Sequence, residues 1–274
     1  MLAAVEHVVA TTWPAVRVVA LDDGRVPDRA VAAVESLIAT AGCLGVVGPK
    51  NSGSAIAAAP IAAAAGLPLV LPCATSDQLT ADGGVVFRLC AADRTTAAAA
   101  VELAIDLGVA TLAVRTDDTE YGRNLAAAVD AAAAKRGLRT RPDEADSDAA
   151  FLAMGEVEQA ALMIDLRASG YRGHFLSAEG GPRAPLPQLA GSAAEGAWLL
   201  YPGRPVAGRG VYAAEAADAA RVLLAAAEGG LAAIRANVVE GETGTIRFTS
   251  SGEREGASVS RYRVVDGAAR LVRP

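Results

Sequence analysis

Two apolar runs, Cys43–Val47 and Leu67–Leu71, each stop at a turn of small residues, and an alanine-rich stretch of helical length separates them. The first run ends in Gly48-Pro49-Lys50-Asn51-Ser52-Gly53 and the second in Pro72-Cys73-Ala74-Thr75-Ser76. Strand, turn, helix, strand is the pattern of a parallel βαβ unit, and open α/β sheets place their ligands at the carboxyl ends of such strands. Both turns offer small hydroxyl side chains and backbone N–H groups, and the first also opens a helix. Together they make a receptacle for a small anion such as a carboxylate.

The same alternation runs through most of the chain. Helix 2–10 leads into strand Arg17–Leu21, and Pro27-Asp28 start helix 28–41, whose Val31, Val34, Leu37 and Ile38 fall at helical spacing. After the turn Asp82-Gly83-Gly84, strand Val85–Leu89 reads as a crossover between lobes. Helix 94–107, strand 110–115, helix 121–136, strands near 138–141 and 149–154, helix 156–169 and strands 174–177 and 196–200 follow. Helices 211–228 and 230–238 precede a tail of extended segments broken by Ser251-Gly252 and Asp266-Gly267. Such alternation predicts an α/β fold with parallel sheets covered by helices. The stretch 142–148 is too short for a parallel crossover, which takes a dozen or more residues. Either those two strands are not neighbours or a helix has been lost between them.

Composition removes several functional classes. A net charge of −6 with basic residues scattered singly lacks the clustered Lys/Arg footprint of a nucleic-acid binder. Cys43, Cys73 and Cys90 have no metal spacing and read as small apolar residues. With only His7 and His174 in the chain, a histidine zinc site is not expected, nor is any cofactor. Residues 51–76 carry no charge, but Pro60, Pro68 and Pro72 interrupt them, so they read as helix plus strand and no direct membrane insertion is expected. Gly48–Ser54 echoes a phosphate loop, yet Gly53 is followed by Ser54 and not by lysine. No G-x-G-x-x-G loop, G-x-S-x-G elbow or nucleophile–base set is present, so the chain is not read as an enzyme.

The motifs GPKNSGS, PLVLPCATS, VFRL, TDDTEYGRNLA, YRGHFLSAEG and GTIRF, in this order, resemble the leucine/isoleucine/valine-type substrate-binding proteins of branched-chain amino-acid ABC transporters, which are type I periplasmic binding proteins. The resemblance covers nearly the whole chain. It implies two Rossmann-like lobes with parallel sheets, joined by a three-strand hinge and closing on a ligand, the Venus-flytrap fold. The first lobe is then 1–86 plus 203–246, the second 87–202 plus 247–274. Carried over by position, the hydroxyls of Ser52 and Thr75 receive the α-carboxylate, helped by backbone around Ser54, Cys73, Ala74 and Thr75. Glu179 falls where the family places the acid for the α-ammonium, and Tyr121 where an aromatic covers the ligand. Gly155 stands where many amino-acid receptors have a second pocket tyrosine, which implies a pocket that is wider, differently selective or no longer a pocket. Where some members carry a cysteine pair, this chain has Arg25 and Asn51. Family members also have a strand, central in the first-lobe sheet, before the helix at 2–10. A native start upstream, a trimmed chain and a compensated one all stay open.

Each of these residues also has a plainer reading. Ser52 and Ser54 could simply cap a helix, Thr75 could be an ordinary turn residue, Glu179 a solvated loop acid and Tyr121 a packing residue at a helix start. Asp117-Asp118 are expected to cap helix 121–136 rather than form an acid–base pair. Asp22-Asp23 read as loop and cap residues, and His7 and His174 as surface or packing residues. The leading expectation is a solute-binding protein for a small amino acid or amide, with an ABC transporter permease as partner. A ligand-sensing domain of the same fold and a scaffold without small ligand are the alternatives. The resemblance implies an extracytoplasmic location. MLAAVEHVV has no basic n-region and so does not read as a signal peptide, which leaves a cytoplasmic location open.

Overall fold

The computed structural model describes residues 1–81, 83–181 and 183–273, the last by its backbone only. The chain divides into two compact units, residues 1–91 with 212–257 and residues 92–211 with 258–274. The first unit begins with helices α1 (Leu2–Thr12) and α2 (Pro27–Ile38), then strand β1 (Val46–Val47), helix α3 (Ser52–Ala65) and strands β2 (Leu69–Leu71) and β3 (Val86–Arg88). The second unit runs α4 (Asp93–Asp106), β4 (Thr111–Thr116), α5 (Glu120–Arg136), β5 (Arg139–Arg141), β6 (Ala149–Ala153), α6 (Glu156–Ala168), β7 (His174–Ser177), α7 (Leu186–Ala190) and β8 (Trp198–Tyr201). The chain then returns to the first unit for α8 (Ala213–Ala225), α9 (Gly230–Ala236), β9 (Val239–Gly241) and β10 (Gly244–Ile246). It ends in the second with β11 (Ser260–Val265) and β12 (Ala268–Arg273).

In the first unit β1, β2 and β3 form a parallel sheet in that order. All of β2 is buried, as expected of a parallel strand covered on both faces. Leu69 and Leu71 pack with Ala55, Ala58 and Ala62 of α3 and Val34 of α2, while Val70 turns to Val222 and Leu223 of α8. Alanines three and four apart give α3 a flat face that lies close to the sheet, and Gly66, in the left-handed region at φ 66°, stops the helix. On the α8 side Phe87 stacks edge-on against Phe248 with ring centroids 5.2 Å apart.

The second unit holds a seven-stranded sheet in the order β12-β11-β8-β7-β6-β4-β5. Strands β4 to β8 are parallel; β11 and β12 add an antiparallel hairpin at one edge. Asp266 and Gly267 turn that hairpin with positive φ at both residues (53° and 70°), the geometry that matches strand twist. The short stretch 142–148 is explained by the order: β5 and β6 are not neighbours but flank β4. Arg141 pairs with Ala113 and Ala149 with Leu112, so the chain steps sideways under β4 and drops back by only one position. The Asp148 carboxylate fixes this step by accepting from the amides of Ala110 and Thr111 at 2.9 Å each.

Three expectations are corrected. Residues 17–21 join no sheet, because a strand exists only with a hydrogen-bonded neighbour and among the described residues they make no backbone hydrogen bond to one. Of Cys43–Val47, only Val46–Val47 pairs. Strand Val85–Leu89, expected as a crossover, is the third strand of the first unit's sheet, and the chain leaves that unit after Ala91. The units change at 91/92, 211/212 and 257/258, where the sequence reading put 86/87, 202/203 and 246/247. Hydrogen bonds from Arg88 N to Gly252 O (2.8 Å) and Arg254 N to Arg88 O (3.1 Å) hold both stretches in the first unit. The Ser260 hydroxyl, donating to Gly203 O at 2.7 Å, holds residue 203 in the second. Of the predicted turn Asp82-Gly83-Gly84, Asp82 lies outside the described residues.

Phe87 is fully buried and clamped by Phe248, so Phe87→Ala should cost about 3–5 kcal/mol through the cavity it leaves, read as a lowered midpoint in urea unfolding.

Candidate functional site

The first unit presents donors without acceptors. Asn51 is the N-cap of α3 but makes no side-chain cap bond, so Ser52 and Ser54 sit inside the first turn. They are 2% and 1% exposed, and Thr75, just past the end of β2, is 5% exposed. The hydroxyls of all three are buried and have no hydrogen-bond partner. Buried hydroxyls are normally satisfied, and each orphan left over in a folded chain calls for an explanation. Around them lie the first amides of α3, which no carbonyl of that helix can reach and which carry the positive end of its dipole. The two turns are tied together by Cys73, whose Sγ lies 3.6 Å from Lys50 O. Ala74 is buried, and its carbonyl accepts from Cys90 Sγ at 3.7 Å.

The turn that carries Thr75 is braced from below. Arg88, fully buried on β3, donates from Nη1 to the carbonyls of Thr75 (2.8 Å) and Ser76 (2.6 Å) and from Nη2 to Thr80 Oγ1 (3.1 Å). Nη2 also pairs with Glu253, whose carboxylate accepts from Thr80 Oγ1 at 2.6 Å. Glu253 is held beside Arg88 by the bridge between β3 and residues 252–254. Gly252 lets the backbones meet: at φ 89° it would carry a Cβ only 2.0 Å from Val86 O.

The second unit presents acceptors. Tyr121 lies in the first turn of α5 and Glu179 two residues beyond β7, and the fold brings them together: the Tyr121 hydroxyl donates to the Glu179 carboxylate. Desolvation is the main cause that pushes the Tyr121 hydroxyl well above its usual range. The charges of Glu179 and Asp93, that hydrogen bond and the charge of Asp117 follow. A neutral tyrosine among carboxylates is an environment for a cation. Tyr121 reaches this place because Gly122 lets α5 approach the sheet; a Cβ there would lie 2.7 Å from Ala153 O. Gly155 caps α6 without a side chain, and only the mobile Glu158 carboxylate comes near it.

Several plainer readings are thereby settled. Neither Ser52 nor Ser54 caps α3. Thr119, not the aspartates, caps α5, its Oγ1 accepting from Gly122 N at 3.0 Å, while Asp117 accepts from the amide and hydroxyl of Thr119. Asp22 and Asp23 accept from the amides of Gly24 and Arg25 at 2.9 Å, as loop residues do. His7 and His174 are exposed, Cys73 and Cys90 buried, and Cys43 partly so. Arg88, Asp93 and Glu253 had no assigned role from sequence. Arg88 did carry a signal, a lone charge inside Val85-Val86-Phe87-Arg88-Leu89; Asp93 and Glu253 carried none. Among the described residues no group of His, Cys, Asp or Glu could hold a metal ion, and no helix is long and apolar enough to cross a membrane.

The sequence model of the family described as periplasmic binding protein matches residues 4–184. An amino acid binding protein of Pseudomonas aeruginosa is 32% identical over 157 residues, 57% of this chain and 40% of that relative, so the chain spans well under half of that relative's length. Among solved structures, a leucine binding protein of Thermotoga maritima superposes with a TM-score of 0.85 at 23% identity, over 98% of this chain and 91% of that one. An ABC transporter substrate-binding protein of Desulfitobacterium hafniense in complex with leucine gives 0.80 at 22% identity, over 98% and 94%. A solute binding protein of R. palustris in complex with benzoate gives 0.77 at 16% identity, over 99% and 91%. These likenesses match the fold and family that the motifs suggested.

Removing the guanidinium takes the charge partner from Glu253 and the donor from two carbonyls, so Arg88→Met should cost about 3–5 kcal/mol in urea unfolding, with Arg88→Met/Glu253→Gln recovering part of it. A second outcome concerns alkaline pH. Tyr121 is raised above the ordinary value of 10.0, and Tyr171, by desolvation, up to about 12. Above pH 10 the unfolded chain releases these protons while the folded chain keeps them. Stability is therefore intact below pH 10 and falls as pH rises through 12. Tyr171→Phe should flatten that slope when unfolding free energy is measured from pH 9 to 12.

Proposed function

The chain belongs to the periplasmic binding protein family, and we propose that it is a solute-binding protein, not an enzyme, for a small amino acid, branched-chain or otherwise aliphatic, or for an amide. The observation that carries this reading is the set of three buried, unpartnered hydroxyls at the start of α3 and after β2. A carboxylate is an acceptor of the kind these hydroxyls lack, and helix amides add charge-assisted hydrogen bonds to it. Within the second unit, the pair Tyr121–Glu179, with Asp93 and Asp117 close by in charge, is an environment suited to an α-ammonium. Delivery to an ABC transporter permease, outside the cytoplasm, is the role proposed; a neighbour described as an ABC transporter substrate-binding protein and a family described as periplasmic support it.

One observation favours a second ligand class. The ligands named for the neighbours, leucine and benzoate, share a carboxylate but not an ammonium. The reading in which the chain takes a simple carboxylic acid therefore rests on the hydroxyl set alone.

A thermal-shift screen against amino acids, their amides and plain carboxylic acids separates the two. At about 100 times Kd a true ligand adds about 2.7 kcal/mol of stability. For an amino-acid ligand, Glu179→Ala should lower affinity by about 30- to 5000-fold in calorimetry, the cost of losing a paired charge partner of about 2–5 kcal/mol. Thr75→Val should weaken both ligand classes. Affinity unchanged by Glu179→Ala but lost with Thr75→Val identifies the plain acid, and a flat screen on folded protein rejects both readings.

A further inference from the structure

The carboxylate that meets Tyr121 stands one step off the regular strand that carries it. Strands β7 and β8 run parallel, with Leu176 opposite Trp198 and Ser177 opposite Leu199. Successive residues of a strand point to opposite faces. Leu176 and Ala178 face the core cluster of α4 and α5 against which Tyr121 packs, as does Leu200 of β8. By that alternation residue 179 would share the other face with Ser177, away from Tyr121. The backbone breaks the alternation there. In step, Leu200 O would accept from the amide of Glu179; it accepts from that of Gly180 at 3.1 Å, one residue later. The displaced Glu179 amide donates instead to the Oγ of Ser177, a fully buried residue, at 3.0 Å. One extra residue is thus inserted opposite β8, a bulge of the kind that re-aims a side chain.

We infer that Gly180 and Gly181 are positioning residues for the candidate site: they seat this bulge on the end of β8, and the bulge turns the Glu179 carboxylate to Tyr121. Neither glycine contacts a ligand; both act through Glu179. A Cβ on Gly180 would lie 2.8 Å from the carbonyl carbon and oxygen of Leu200 and 2.9 Å from the carbonyl carbon of Leu199. These are backbone atoms of a strand inside the sheet, which cannot swing aside as a side chain can. Gly181 has φ 131°, a conformation that side chains rarely adopt, and a Cβ there would meet the Tyr201 ring at 2.9 Å. Tyr201 is buried, so its ring is held in place. A side chain at residue 180 therefore lifts the segment off β8 and takes the Glu179 carboxylate away from Tyr121. The consequence for binding rests on the amino-acid reading above. On that reading the two glycines govern recognition of the α-ammonium and leave the hydroxyl set of the first unit untouched.

The hydrogen bond from Tyr121 to Glu179 gives a readout that needs no ligand. The full chain is labelled with 13Cζ-tyrosine, the Tyr121 resonance is assigned with Tyr121→Phe, and its position at neutral pH is compared among variants. Glu179→Ala sets the shift that marks loss of the bond. Gly180→Ala should move the resonance in the same direction, by about half as much or more. Ser177→Ala, which removes only the acceptor of the displaced amide, should do likewise, and it decides the matter if Gly180→Ala does not fold. A folded Gly180→Ala chain with the Tyr121 resonance at its wild-type position overturns the inference. Calorimetry with L-leucine and with benzoate then reads the ligand side. Gly180→Ala should weaken leucine about tenfold or more and leave benzoate within about twofold. Equal loss of both probes means general damage to the fold and also overturns the positioning role. A wild-type chain that does not bind leucine defeats the amino-acid reading alone, and the Tyr121 resonance still decides whether the glycines place Glu179.

Discussion

The buried guanidinium of Arg88 is the interaction on which the first unit's working surface depends. An arginine with no exposure is costly unless every donor and the charge itself are matched. Here the charge is met by Glu253, far along the chain, and Nη1 and Nη2 donate to Thr75 O, Ser76 O and Thr80 Oγ1, while Nε is left without a hydrogen-bond partner. One side chain therefore joins three stretches that sequence separates widely: β3, the turn after β2 and residues 252–254. The turn bearing Thr75 has no regular structure of its own to hold it. Its shape is set by carbonyls drawn down onto Arg88, and the pairing of β3 with Gly252 and Arg254 keeps Glu253 where the guanidinium needs it. The same bonds explain why the chain's last visit to the first unit extends to Ala257 and not only to β10.

The second unit solves its positioning problem by close approach and not by charge. Gly122 removes the side chain that would keep α5 off the carboxyl end of β6, and Thr119 with Asp117 secures the first turn. Tyr121 is thereby delivered to the loop after β7, where Glu179 meets it. Desolvation and three carboxylates hold its hydroxyl neutral, so it donates to Glu179 and cannot itself become an anion at ordinary pH.

The architecture was legible wherever periodicity reports directly on burial. The helices α1, α3, α4, α5, α6 and α8 and the parallel strands β2, β4, β6 and β7 were read to within a few residues, because an apolar run between turn signals has few other fates in an α/β chain. Pairing was not legible. Arg17-Val18-Val19-Ala20-Leu21 has the composition of a strand, but propensity cannot say whether a neighbour exists, and here none does. The short stretch 142–148 is of the same kind: sequence gives the order of strands along the chain, not across the sheet. At the candidate site, Tyr121 and Glu179 were named in advance and the fold brings them together. Ser52, Ser54 and Thr75 were named as hydroxyls, but that they would be buried without partners follows only from packing. Asp93 stayed hidden because an acid at the first turn of a helix is commonplace in sequence and unusual only once it is buried.

The arrangement in the first unit also bears on how a binding site can be strong without being sticky. The buried guanidinium of Arg88 spends both terminal nitrogens on Glu253, Thr80 Oγ1 and backbone carbonyls, so on the proposed reading an arriving carboxylate meets neutral hydroxyls and amides and not a salt bridge. Neutral donors give up less hydration when the site is empty, and a bond from a neutral donor to a charged acceptor still counts among the stronger hydrogen bonds. Three such hydroxyls, already buried and unsatisfied, carry the cost of their desolvation in the empty protein. A ligand that fits them repays that cost, whereas a ligand without an acceptor at that position leaves it standing. Selectivity for the carboxylate then comes from what the fold leaves unpaired, while the arginine that makes the turn rigid takes no part in contact with the ligand.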